Sequence, residues 1–102
     1  MKNRKSDGVN RKLGPDREEA QSIAIAALSH IASEPSLFER FSGLTGLAPA
    51  DMRNAARSPG FLPAVLDFLA GHEPDLLAFA AASGLDPARI MAARDLLAGR
   101  DL

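Results

Sequence analysis

Apolar side chains recur along this chain at the helical period, interrupted by proline and glycine. From Ala20, the positions Ile23, Ala24, Ala27, Leu28 and Ile31 fall on one face, which predicts a long amphipathic helix from about Pro15 to Ser33. Pro15 suits the first helical position, and Asp16, Glu18 and Glu19 put negative charge where the helix dipole favours it. Glu34-Pro35 ends this helix, because a residue before proline is pushed out of the α region. Leu37, Phe38, Phe41 and Leu44 then line one side of a second helix that stops in the Gly43 to Gly46 region. Pro49 opens a third, with Met52, Ala55 and Ala56 inward, Arg53 and Arg57 on the wet side, and Ser58-Pro59-Gly60 closing it.

The stretch Gly60 to Gly71 is apolar nearly all round, with Asp67 its only charge, and predicts a buried helix on which the others pack. Phe61, Leu62, Val65, Leu66, Phe68 and Leu69 form its broad apolar sector. Gly60, Pro63, Ala64, Asp67 and Gly71 share a second sector that is small rather than polar. Pro63 belongs in the first turn, where its missing N–H costs nothing. Truncating either Leu66 or Phe68 is expected to come close to unfolding the domain.

Glu73-Pro74 starts a fifth helix carrying Leu76, Leu77, Phe79 and Ala80 to Ala82, which stops at Ser83-Gly84. Asp86 then reads as an N-cap with Pro87 at the first helical position, and Ile90, Ala93 and Leu97 face inward until Gly99. No segment shows sustained period-two alternation, so the chain is expected to be all-α, a compact bundle of five or six helices. An internal correspondence runs through it: Phe41, Thr45, Gly46, Leu47, Pro49, Ala50, Met52 and Ala55 are matched by Phe79, Ser83, Gly84, Leu85, Pro87, Ala88, Ile90 and Ala93. This pattern describes a pseudo-duplicated helical hairpin, in which glycine allows a left-handed exit, leucine plugs the core and proline launches the next helix.

Composition changes the picture at the N-terminus. The formal net charge is −1, yet Lys2, Arg4, Lys5, Arg11, Lys12 and Arg17 supply half of the basic residues, while nine acidic and six basic side chains lie from Glu34 onward. Residues 1–14 are therefore expected to be a disordered basic arm, ahead of a single helical domain at 15–102. Without cysteine there is no disulfide framework, thiol nucleophile or thiolate metal site. No apolar run approaches the ~18 residues of a membrane span, so the expected setting is the cytoplasm.

Candidate chemistry is sparse. His30 and His72 lack further ligands at metal spacing, no glycine-rich phosphate loop is present, and neither Trp nor Tyr is there to stack on a base. Neither an enzyme nor a bound cofactor or metal is expected. The hairpin over 73–98 does carry the small and apolar pattern of a helix-turn-helix, which makes Arg89 and Arg94 candidate DNA contacts, helped by the basic arm. Against that, Asp86 and Asp95 on the would-be reading helix oppose a phosphate backbone. The favoured reading is a non-catalytic protein-protein interaction or regulatory module. Gly60, Ala64, Asp67 and Gly71 are its candidate contact strip, for an unknown protein partner or a homodimer, and DNA binding is the alternative.

The Ala-rich first helix ending in Glu34-Pro35, the run Arg57-Ser58-Pro59-Gly60-Phe61-Leu62, the run Leu66-Asp67-Phe68-Leu69 and the turn Ser83-Gly84-Leu85-Asp86-Pro87 together resemble a family of short bacterial all-helical proteins known only as a domain of unknown function, the DUF3572-like family. The likeness begins at about Asp16 and excludes the basic leader. It implies a bacterial cytosolic setting and brings no activity or site with it.

Overall fold

Asp16, and not Pro15, sets the start of the first helix. In the computed structural model, which describes residues 14–99, Asp16 has extended backbone and its carboxylate accepts a hydrogen bond from the Glu19 N–H at 2.8 Å. Such a side-chain cap satisfies one of the first-turn N–H groups that no helical carbonyl can reach. Pro15 therefore precedes the cap, and helix α1 spans Arg17–Ser33. The basic arm predicted over 1–14 lies outside the described residues except for Gly14, and so does the predicted end of the domain beyond Gly99.

Five further α-helices complete the order: α2, Pro35–Thr45; α3, Met52–Ala55; α4, Phe61–Ala70; α5, Glu73–Ser83; and α6, Pro87–Ala98. The described residues form a compact all-α bundle without strands. The third helix is much shorter than its pattern suggests, a 3₁₀ turn at Pro49–Asp51 leading into a single turn of α-helix. Ala48 offers no side-chain acceptor to cap it, and i to i−3 bonds from Arg57 to Asn54 and from Ser58 to Ala55 tighten its end before Pro59 stops it.

The two glycine corners are alike in their geometry. Gly46 and Gly84 both have φ +74°, and their N–H groups donate to the carbonyls of Ser42 and Ala80 at 2.8 and 2.9 Å. The hydroxyls of Thr45 and Ser83 donate to the carbonyls of Phe41 and Phe79 at 2.8 and 2.7 Å. The corners differ in the residue that launches the next element. After Gly84 the Asp86 carboxylate accepts from the Ala88 N–H at 2.9 Å and supports a full helix, whereas Ala48 at the corresponding place supports only the short turn. Between α5 and α6 the chain bends by 106°.

The core is shared between α1, α4 and α6. Ala20, Ile23, Ala24, Ala27 and Ile31 of α1 are buried against Val65, Leu66 and Leu69 of α4 and Ile90 and Ala93 of α6. The alanines let the α1 backbone come close, which is why α1 packs on α2, α4, α5 and α6 alike. The expectation that Gly60 to Gly71 alone is the hub therefore needs correction, because α1 is at least as central. The α4 helix is also not covered all round. Gly60, Ala64, Asp67 and Gly71 face solvent, Leu62 and Phe68 are half-buried, and Pro63, placed by its spacing in the open sector, is buried. The neighbouring helices pack against the opposite face, which carries Val65, Leu66 and Leu69. Leu44 also departs from its predicted place on the apolar side of α2 and is 76% exposed, and Leu77 of α5 is 48% exposed. In α2, Leu37 and Phe41 already fill the contact, and Leu44 lies in its final turn.

No single described helix is long and apolar enough to cross a membrane; α5 and α6 reach that length only together, across their bend.

Candidate functional site

The two sets of residues singled out from the sequence meet at one point. Asp67, on the exposed strip of α4, lies 3.6 Å from Nε of Arg94 on α6, and Arg94 also donates to the neighbouring Asp95 at 3.1 and 2.9 Å. Gly60, Ala64 and Gly71 share the open side of α4 with Asp67. At Gly60 an added Cβ would meet no other atom within 4 Å, so that end of the strip is open space; at Gly71 the carbonyls of Asp67 and Phe68 are already close.

Arg89 is engaged elsewhere. Its Nε and Nη2 each donate to the Glu19 carboxylate at 2.7 Å, a fork that ties α6 to the first turn of α1. The hydrogen bond from Arg89 holds the Glu19 carboxyl below its ordinary range, and the same bond raises the Arg89 guanidinium above its own. From Arg89 to Ala98 every residue of α6 is buried or half-buried. A helix that reads a DNA groove has to present an open face, and here the inner face carries Ile90 and Ala93 while both arginines bind carboxylates of the domain itself.

The histidines sit in different surroundings. The ring of His30 lies 5.4 Å from that of Phe79 and lines a shallow groove between α1 and α5, walled by Ala26, Ser29, Ser33 and Ala82. Its Nε2 is shut off from solvent without a hydrogen-bond partner. His72 stands at the N-cap position of α5, where its side chain makes no capping hydrogen bond. Its Nδ1 is 3.0 Å from the Asp75 carboxylate, which also pairs with Arg40. The Arg40 guanidinium in turn stands 5.3 Å above the Phe68 ring, and Phe68 meets Phe41 edge-on at 5.2 Å. Among the described residues, no group of three or more His, Cys, Asp or Glu is placed to hold a metal ion.

A second pocket has no counterpart among the sequence expectations. It lies where the first turns of α1 and α4 meet the segment after α3 and the end of α6, and encloses about 340 Å³. Arg17, Gln21, Arg57 and Ser58 supply its polar wall, and Leu62, Pro63 and Leu97 its apolar floor. The residues come from four separate parts of the chain, so no local motif announces them. The one signal in the sequence is the position of Arg57 on the wet side of its element.

A family model described as "Protein of unknown function (DUF3572)" matches residues 17–100, the whole bundle without the N-terminal segment. No curated protein and no solved structure matches the chain.

Proposed function

We propose that this chain, which belongs to the DUF3572 family of proteins of unknown function, is a non-catalytic interaction module that binds through the open side of α4. One observation carries the reading: a helix otherwise built of large apolar residues keeps Gly60, Ala64, Asp67 and Gly71 in solvent. Small residues let a second helix approach closely, and the half-buried Leu62 and Phe68 on the flanks would lose further water on contact. The proposed occupant is a second copy of the chain, related by a two-fold axis that sets each strip against its counterpart. Sedimentation equilibrium from micromolar to millimolar concentration tests this. A dimer that Ala64→Glu returns to monomer supports it, and a monomer throughout rules it out.

The alternative is a helix-turn-helix DNA-binding regulator, for which the three-residue connection and the 106° bend between α5 and α6 speak. The covered side chains of α6 and the ion pairs of Arg89 and Arg94 weigh against it. A duplex-DNA titration at two salt concentrations decides. This reading requires salt-dependent binding that Arg89→Ala and Arg94→Ala both weaken.

A further inference from the structure

The described arginines fall into two groups. Arg40, Arg89 and Arg94 each bind a carboxylate of the domain, whereas Arg17, Arg53 and Arg57 have none within ion-pair distance among the described residues. In a body where acidic side chains outnumber basic ones from Glu34 onward, unpaired guanidinium groups stand out. Two of the three, Arg17 and Arg57, line one pocket although 40 positions separate them in sequence, and among the described residues no carboxylate lines it with them.

From this convergence we infer that the pocket between the starts of α1 and α4 is a binding site for a small organic oxyanion, a phosphate monoester or carboxylate carried on a short apolar body. Guanidinium forks match the oxygens of such a group two at a time, and each bond to a charged acceptor is stronger than a neutral one. Ser58 and Gln21 add donors that a neutral or cationic ligand would not require. The first turn of α4 contributes Leu62 and Pro63 to the wall, so the positive end of its dipole adds to the same field. Leu62, Pro63 and Leu97 make a dry floor against which the apolar part of the ligand loses water. At about 340 Å³ the cavity stands at the lower end of the roughly 300–1,000 Å³ common for small-molecule clefts, which suits one ring or a short chain behind the anionic head. This site shares only Leu62, on the flank of the α4 strip, with the proposed dimer contact, and its failure would leave the proposed dimer standing.

The test is a two-dimensional NMR titration of the ¹⁵N-labelled full chain with phenyl phosphate and with benzoate, and with inorganic phosphate as the head without a body. For at least one of the two aromatic probes, saturable shifts should gather at the amides of Gln21, Arg57, Ser58, Leu62 and Leu97. Inorganic phosphate should bind about tenfold more weakly than phenyl phosphate. Arg17→Gln and Arg57→Gln should each weaken binding about tenfold or more, and Arg53→Gln, four residues from Arg57 but outside the pocket, by less than about threefold. Circular dichroism melts of the three variants should match the parent, since all three arginines are exposed. The inference is overturned if neither aromatic probe gives saturable shifts up to about 10 mM, far weaker than a built site. It is overturned equally if Arg53→Gln costs as much as the pocket variants, because the binding would then track general surface charge.

Discussion

Arg89 and Glu19, 70 residues apart in sequence, are joined by two 2.7 Å hydrogen bonds that close the start of α6 onto the start of α1. The pair is partly exposed, 24% for Arg89 and 40% for Glu19, so water screens much of its attraction. A double-mutant cycle of Glu19→Ala and Arg89→Ala, read by denaturant unfolding, should give a coupling energy of about 0.5–1 kcal/mol. A value indistinguishable from zero would mean that the fork orients α6 without stabilising it.

The same pair predicts a pH dependence. Because the folded state holds the Glu19 carboxyl below its ordinary value, its contribution is present above the unfolded value of about 4.5 and is lost as the pH falls through the lowered folded value. The stability difference between the parent and Glu19→Gln should thus be constant from pH 8 to about pH 5.5 and shrink toward pH 3. A difference that grows on acidification would contradict the assigned direction.

Core truncations should separate residues that the sequence treats alike. Leu66 is fully buried, so Leu66→Ala should cost about 3 kcal/mol or more and lower Tm by upwards of about 10 °C. Phe68 is half-buried between the Arg40 guanidinium and the Phe41 ring, so Phe68→Ala should cost about 1–2 kcal/mol. Equal losses would show that α4 is wrapped on both sides in solution, as the dimer reading requires at high concentration. The comparison therefore belongs at low micromolar protein.

Two glycines should respond with opposite sign to the same change. Neither Gly84 nor Gly60 has an atom within 4 Å of a built Cβ, so only the backbone differs. At φ +74°, Gly84→Ala strains the corner and should destabilise by about 1–2 kcal/mol. Gly60, at φ −87° and ψ −5°, already sits in the right-handed helical region, and Gly60→Ala should stabilise by about 0.4–1 kcal/mol through a less flexible unfolded chain. Thermal melts of the two variants against the parent check both signs.

Element type and most boundaries were legible in the chain because they depend on neighbours within a few residues. Pro35 at the start of α2, the Asp86 cap before Pro87 and the left-handed glycines at 46, 84 and 99 are local devices, and each appears where its residue type demands it. Packing partners were not legible, because helical spacing states which face is apolar and not which neighbour covers it. That left the role of α1 understated and the exposure of Leu44 and Leu77 unforeseen. Charge pairing was further still from reach. The fork that binds Arg89 to Glu19, the meeting of Asp67 with Arg94, and the gathering of Arg17 and Arg57 around one pocket join side chains brought together only when α1, α4 and α6 dock. Sequence alone thus determined the helices and their corners through short-range sterics and hydrogen bonding. The tertiary structure decided which charges are neutralised and which remain for a ligand, since Coulomb attraction acts on distance in space and the docked helices set that distance.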